Sequence, residues 1–366
     1  MILQFGTGRF LRAFVDRFVQ HAQDAGHDLG GIVVVQSTAS SRADALGKQG
    51  GAYHVVVRGY ENGELVDRVE RVTSIRRALN ANSEWSAVLE VARSPELQYI
   101  ISNTTEAGYA LDDADQVSAA PPQAFPAKLT RVLWERFQAG GAPVTIIPCE
   151  LFERNADKLR ALVVSLAERW QLPREFVDYL VNQCVWLCNL VDCIVTPGPA
   201  DHALAKSDPL LIQAEPYTLW AIERVPQMPP LWQHPAICIT DDLAPYYLRK
   251  VRILNGVHTA MAAKFRPVGF ETVQQVLADR AATRWVRGLL YEEIVPTIAY
   301  RVPDVAAFAD EAFDRLRNPY LSHKLSDIAL HHEAKVAVRL KPTYDEYMAL
   351  FKVRPRHLSE VVPMES

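Results

Sequence analysis

The sequence predicts an α/β protein in two parts, a parallel-sheet domain over residues 1–200 and a mostly α-helical domain over residues 201–366. Three observations lead there. The chain opens on a short apolar strand, a Gly-x-Gly turn and an amphipathic helix. Continuous apolar runs of strand length then recur, as expected of parallel strands covered on both faces. From about Asp201 the pattern changes to long helical stretches, including Arg284 to Val295, Val305 to Leu316 and Ser326 to Val338, with Pro197-Gly198-Pro199 as the junction.

The opening run, Met1-Ile2-Leu3-Gln4-Phe5-Gly6-Thr7-Gly8, leads into a helix expected to reach about Ala25, where Gly26 offers a stop. This is the first half of a βαβ unit of the Rossmann, dinucleotide-binding type. Gly6 allows the tight turn, Gly8 lets a pyrophosphate approach the backbone, and the helix N-terminus faces the phosphate charge. Leu11 stands where the third glycine of that fingerprint usually lies. The next strand, Gly31-Ile32-Val33-Val34-Val35-Gln36, is followed by Ser37 and Thr38 rather than by the acidic residue that binds a ribose 2′-hydroxyl. With no carboxylate to repel a 2′-phosphate, NAD and NADP both stay open. Arg42 is read as a solvent-facing helix residue, with a phosphate contact as the alternative.

Tyr53 to Arg58 and Leu65 to Val69 flank Glu61-Asn62-Gly63, a hairpin signal. Leu97 to Ser102 and Val144 to Cys149 read as further buried strands, each followed by a polar loop. Such loops, at the carboxyl ends of the strands, are where open α/β sheets bind ligands.

A chain of 366 residues with 49% hydrophobic composition supplies ample core for two domains. The net charge of −4 argues against general nucleic-acid or anionic-membrane binding. No run approaches the ~18 apolar residues of a membrane span, and the opening strand does not resemble a signal peptide, so a soluble cytoplasmic protein is expected. Cys184, Cys188 and Cys193 are spaced by four and five, unlike the short paired spacing of structural zinc sites. They read as buried thiols, and no metal is expected.

The run Arg249-Lys250-Val251-Arg252-Ile253-Leu254-Asn255-Gly256-Val257-His258 carries the most chemistry. In an α-helix Lys250, Asn255 and His258 fall within an arc of about 140°. A lysine desolvated beside a cationic nicotinamide can take an alcohol proton near neutral pH. The Asn255 carboxamide can donate to the oxygen, and the His258 imidazole can orient it. A solvated basic helix with a capping-type asparagine is the competing reading, and Gly256 weakens the helix by about 1 kcal/mol relative to alanine.

Taken together, Gly6-Thr7-Gly8-Arg9-Phe10 with Arg12-Ala13, Thr105-Glu106-Ala107-Gly108, Asn189-Leu190-Val191-Asp192, Glu215-Pro216-Tyr217-Thr218-Leu219-Trp220, the Lys250/Asn255/His258 set and Arg317-Asn318-Pro319 with His323 resemble the polyol-specific long-chain dehydrogenases, the mannitol dehydrogenase family. The resemblance covers nearly the whole chain. It implies an expanded Rossmann domain followed by a helical domain, and zinc-independent hydride transfer with a nicotinamide cofactor. Lys250 would be the general base, Asn255 would polarise the reacting oxygen and His258 would position it. Cofactor contacts would come from Gly6, Gly8, Arg9, Phe10, Gln36, Ser37, Asn103 and Thr105. NAD is the cofactor expected, and the partner expected is a small sugar acid or polyol.

Ile101 to Gly108, Phe125 to Thr130, Pro148-Cys149-Glu150-Leu151 and Lys250 to Gly256 are similar to the branch of the family that reduces keto-sugar acids. Polyol branches carry Cys-Asp-Asn where this chain has Cys149-Glu150-Leu151, which leaves Asn155 as a weak substitute for an oxyanion-binding asparagine. Cys193 follows Asp192 where an arginine is common, and Leu330 to Val336 replaces an Asn-Ser-x-Ser-Lys-Phe pattern, keeping Lys335. Glu106 is a proton relay or a helix cap. Asp192 binds substrate hydroxyls or pairs with an arginine. Lys335 holds a substrate carboxylate or is a solvated helix lysine. His331 and His332 are expected at the surface or in helix packing, and Glu215 and Trp220 in a structural role near the cofactor. A binding-only protein with a retained nucleotide domain is the alternative to an enzyme, and the intact Lys250/Asn255/His258 set favours the enzyme.

Overall fold

The structure is a computed structural model and describes residues 1–104, 106–321 and 323–363, the side chains of Glu106 and Ala107 excepted. The chain divides into two compact units, the first made of residues 1–57, 68–214 and 218–242, the second of residues 58–67, 215–217 and 243–366.

The strands in chain order are β1 (Ile2–Phe5), β2 (Ile32–Gln36), β3 (Tyr53–Glu61), β4 (Glu64–Val72), β5 (Ile75–Asn80), β6 (Tyr99–Ser102), β7 (Thr145–Pro148), β8 (Val185–Trp186), β9 (Asn189–Asp192), β10 (Val195–Pro197), β11 (Ile212–Ala214), β12 (Leu219–Glu223) and β13 (Ile237–Thr240). Six form one parallel sheet in the order β5-β2-β1-β6-β7-β8. That is the doubly wound order 3-2-1-4-5-6 of dinucleotide-binding domains. Ile2, Leu3, Val34, Val35, Ile100 and Ile146 are buried, which explains why these strands read as apolar runs rather than as alternating patterns. Phe5 sits level with Val35 on one side and Ser102 on the other, and Ser102 is level with Pro148. The loops after β1, β2, β6 and β7 therefore emerge along one edge of the sheet.

The first helical stretch is not one helix. It breaks at Phe14 into Arg9–Ala13 and Val15–Asp24, with Phe14 at φ −117°, ψ −86°. Leaving helical geometry lets the Phe14 ring pack at 5.0 Å from Phe10, 4.5 Å from Phe18 and 5.7 Å from Trp220. Gly26, at φ +91°, follows the helix end as expected. The hairpin turn of β3 and β4 falls on Asn62 and Gly63, both left-handed at φ +53° and +82°, the conformation a tight two-residue hairpin demands.

The stretch from Asp201 to Asp242, expected to begin the helical domain, is largely strand and loop. β11 pairs with β10 and with β3 in one sheet, and β12 pairs with β9 and β13 in another. Pro197-Gly198-Pro199 therefore lies inside the first unit.

The second unit is helical, around a core that includes Ile253, Val257, Met261, Leu289, Phe308 and Leu340. The helix Val305–Leu316 has the bounds read from the sequence. The expected Arg284 to Val295 helix is Arg280–Gly288 continued by a π turn, Leu289–Ile294, into Val295–Ile298. The expected Ser326 to Val338 helix is two, Leu325–Ile328 and His332–Arg339, because His331 adopts φ +54° between them. Among the described residues no helix is long and apolar enough to cross a membrane.

Candidate active site

In the first unit, Gly6 adopts φ +127°, and a Cβ there would lie 3.1 Å from the Asn103 carbonyl oxygen, so only glycine fits this turn. Gly8 differs. A Cβ there would meet nothing within 4 Å, so packing within the chain does not demand a glycine. Arg9 is exposed, and Phe10 packs on Phe14. Leu11 is buried beside Gly6 in the place of the missing glycine. Arg12 is also buried, its Nη1 donating to the Leu210 carbonyl at 2.6 Å, while the Tyr53 hydroxyl donates to the Arg12 carbonyl at 2.7 Å. Burial beside this cluster pushes the Asp16 carboxyl up to about 7.

Gln36 is buried and holds the loop after β2. Its Nε2 donates to the carbonyls of Thr38, at 3.0 Å, and Ser40, and its Oε1 accepts from the Ala43 N–H at 2.7 Å. The side chain thus shapes the loop. The hydroxyls of Ser37 and Ser40, in the same loop, are buried with no partner among the described residues. Arg42 is exposed, as read from the sequence.

The loop after β6 is fixed by a carboxylate. Buried Glu150 accepts from the Thr104 N–H at 2.9 Å and from the hydroxyls of Thr104 (3.3 Å), Ser102 (3.2 Å) and Tyr109 (3.1 Å), and burial pushes its carboxyl up. Asn103 donates from Nδ2 to the Cys149 carbonyl at 2.6 Å. Both ends of the segment carrying Thr105 and Glu106 are therefore held, although Thr105 and the Glu106 side chain lie outside the described residues. Asp192 is buried at the end of β9, opposite Leu219. Cys184 and Cys188 are buried thiols and Cys193 is half-buried.

Asn155 does not serve as an oxyanion-binding group. Its Nδ2 donates to the carbonyls of Pro148, Glu150 and Asn189 at 2.7, 3.1 and 3.0 Å, and its Oδ1 accepts from the Asn189 N–H at 3.1 Å. Asn155→Ala strands several buried backbone groups, so it is expected to lower stability by about 2–4 kcal/mol while turnover per folded molecule changes little. Urea unfolding together with kcat tests this, and a large loss of kcat at unchanged stability would return Asn155 to the reaction. Trp220 is similarly structural, fully buried with its Nε1 donating to Asn189 Oδ1 at 3.0 Å.

In the second unit, the helix Ala244–Arg249 passes into a π turn, Lys250–Asn255, and then into the helix Gly256–Phe265. In i→i+5 register, residues five apart stack one turn above the other. The turn thus brings Asn255 towards the line of Lys250, where an unbroken α-helix would leave about 140° between them. His258 follows on the next turn. All three side chains are half-buried. A Cβ on Gly256 would make ordinary contact at 3.5 Å, so no steric demand for glycine arises there.

His258 Nε2 lies 3.4 Å from Nδ1 of His323, and its ring also bonds the Leu254 backbone. Burial, then His323, then the Arg315 charge push the His258 imidazole down to about 3, and burial and Arg315 lower His323 as well. Both rings are neutral at neutral pH. With Nδ1–H donating to the Leu254 carbonyl, His258 keeps Nε2 as an acceptor, and His323 is the donor between them. The buried Thr259 hydroxyl donates to the Asn255 carbonyl at 2.9 Å and accepts from Arg339 Nη1 at 3.2 Å. Lys335 Nζ donates to the Ile328 carbonyl at 2.8 Å. His331 is exposed and His332 half-buried. Glu215 belongs to this unit, where it binds Arg315 through two bonds of 2.8 and 3.0 Å, with the guanidinium 4.0 Å over the Tyr217 ring.

The sequence reading passed over Arg339 and Arg315. The four-residue spacing from Lys335 to Arg339 was visible, but their helix was expected to start at Ser326, which left the inward face unassigned.

Residues 1–233 match the mannitol dehydrogenase Rossmann domain and residues 242–361 the mannitol dehydrogenase C-terminal domain. The chain belongs to the mannitol dehydrogenase family, oxidoreductases acting on CH–OH groups. Similar curated relatives carry the name altronate oxidoreductase. The protein of that name from Halalkalibacterium halodurans is 38% identical over 98% of this chain and 72% of its own length, and one from Klebsiella pneumoniae is 37% identical over 93% and 74%. The fold is shared with the solved Pseudomonas fluorescens mannitol 2-dehydrogenase in ternary complex with NAD and D-mannitol, at a TM-score of 0.78 and 22% identity over 95% of this chain and 75% of that one. It is also shared with a D-sorbitol dehydrogenase in substrate-free form, at a TM-score of 0.79 and 22% identity over 93% and 75%.

Proposed function

We propose that this protein interconverts D-tagaturonate and D-altronate with NAD(H), without zinc, using Lys250 as general base. The observation that carries this reading is the π turn joining Lys250 to Asn255 and running on to His258, in a chain whose similar relatives are named altronate oxidoreductase.

The first unit fits a dinucleotide. Gly8 opens onto empty space at a helix start, and the orphaned hydroxyls of Ser37 and Ser40 lie in the loop where a ribose would bind. Gly6, Gly8, Arg9 and Phe10 would line the phosphates, with Gln36 shaping the ribose loop around Ser37 and with Asn103 and Thr105 towards the ring. A bound nicotinamide would supply the hydride in reduction and accept it in oxidation.

The residues of the second unit manage the proton and the oxygen. In oxidation, the Lys250 amine takes the proton from the reacting hydroxyl. In reduction, the ammonium returns it to the same oxygen. Asn255 Nδ2 donates to that oxygen while it carries negative charge. His258, held neutral, would offer its Nε2 lone pair to a substrate hydroxyl in place of His323 and so orient that hydroxyl. We assign the proton path to solvent to Glu106 and a hydroxyl contact to Asp192, both from the family resemblance. Lys335 is assigned to the substrate carboxylate.

A panel of tagaturonate, fructuronate, fructose and fructose 6-phosphate with NADH and NADPH tests the reading. Preference for fructose or its phosphate would move the protein to a polyol branch, and NADH binding without turnover on any of them would make it a binding protein. NADH is expected to give the higher kcat/KM, because the stretch from Gln36 to Arg42 offers one exposed arginine for a 2′-phosphate. An NADPH preference reversed by Arg42→Ala would overturn that expectation.

A further inference from the structure

Helix His332–Arg339 turns an unexpected face inward. Val336 is buried, and Glu333, Ala334, Ala337 and Val338 are exposed. The half-buried stripe carries His332, Lys335 and Arg339, where an amphipathic helix normally places apolar residues. Lys335 and Arg339 stand one turn apart on that face, a spacing at which like charges repel.

Neither cation has a carboxylate partner among the described residues. Lys335 Nζ donates to the Ile328 carbonyl and Arg339 Nη1 to the Thr259 hydroxyl, both neutral acceptors. The acidic side chain that acts on Arg339 is the Tyr247 phenol rather than a carboxylate. The Nδ1 of His332, on the same stripe, is buried without a partner. The most deeply buried arginines of this unit are matched, Arg315 by Glu215 and Arg252 by Glu346. The Thr259 anchor also gives Arg339 an address. Thr259 follows His258 in sequence and its hydroxyl bonds the Asn255 carbonyl, so the guanidinium is fixed against the turn that carries Asn255 and His258.

We propose that Arg339 is the principal carboxylate-binding residue for the substrate acid, with Lys335 as a second donor and His332 at the rim. The proposal rests on the reading of Lys250, Asn255 and His258 given above and names the group that would select a sugar acid over a neutral sugar. A guanidinium offers a planar fork that matches a carboxylate with two parallel bonds, and a neighbouring ammonium adds a point charge. Burial and the neighbouring Arg339 charge lower the proton affinity of Lys335, and burial lowers that of Arg339, as expected of cations lacking an anion. An arriving carboxylate would relieve that repulsion, whereas a neutral ketose would not.

The test is steady-state kinetics of the full chain with NADH on tagaturonate, and on fructose where it reacts, together with NADH affinity and thermal melting. Arg339→Met is expected to raise KM for tagaturonate about 30-fold or more, with NADH affinity unchanged and KM for fructose moved less than about threefold. Arg339→Lys, which keeps the charge and loses the fork, should fall between wild type and Arg339→Met, and Lys335→Met should give a smaller rise. An unchanged KM for tagaturonate in Arg339→Met, or an equal loss for fructose or NADH, would overturn the proposal while leaving the proposed reaction standing. A wild-type protein that reduces neutral ketoses and no hexuronate would instead overturn the proposed substrate, and this assignment with it. If Arg339→Met melts well below wild type, Arg339→Lys decides: wild-type KM in that variant would count against a forked contact.

Discussion

Lys250→Ala is expected to lower turnover about a hundredfold or more while NADH binds with little change. The side chain is half-buried at the start of the π turn, so its loss removes an amine from the reacting oxygen without opening a core cavity. Asn255 and His258 remain in place after the substitution and can still bind and orient substrate. The loss should therefore appear in kcat more than in KM. Added small amines should restore part of the rate by entering the vacated space. Near-normal turnover, or an equal loss of NADH affinity, would remove Lys250 from the role of base.

The largest effect on stability is expected at Arg315 and Glu215. Their side chains are 3% and 1% exposed and are joined by two bonds, with the guanidinium stacked on Tyr217. Removing one partner leaves the other as an unpaired buried charge, which costs about 3–5 kcal/mol. Arg315→Met and Glu215→Gln should each lower the urea midpoint accordingly, and the double variant should recover much of the loss, because it leaves no isolated charge. Additive losses in the double variant would show that the two side chains act separately. Arg315 also helps hold His258 neutral. A catalytic pH profile of Arg315→Met, measured where the protein is folded, should therefore show an acid limb shifted to higher pH.

The parts of the fold that follow from local pattern were legible. β1, β2, β6 and β7 announce themselves as apolar runs ending in polar loops, and Asn62-Gly63 marks its hairpin, because a both-faces-buried strand and a left-handed turn each demand particular residues. The course of residues 201–242 was not legible. β11 is three residues long and exists through its pairing with β10 and with β3, the latter far away in sequence. Phe14 breaks a helix that its composition would continue, because its ring is drawn into the cluster with Trp220. For the site, Lys250, Asn255 and His258 could be picked out by spacing, but the π turn that brings the first two together has no sequence signature of its own. Asn155 looked available for chemistry because an asparagine's bonds to distant backbone groups leave no trace in the primary structure. The break at His331 hid the inward stripe of Lys335 and Arg339 in the same way, since left-handed backbone at a histidine carries no compositional mark.

A π turn contains one residue more than the α turn it replaces. Removing any single residue between Val251 and Leu254 would let the helix run without interruption from Ala244 to Phe265, and would leave Lys250 and Asn255 four apart, about 40° of arc, close to the alignment that the π turn gives. No functional side chain need change for this to happen. In lineages that share this helix, losing or regaining one in-frame codon would straighten or bulge the backbone while keeping the amine–amide–imidazole alignment. Comparisons that demand a fixed spacing between lysine and asparagine would miss such relatives.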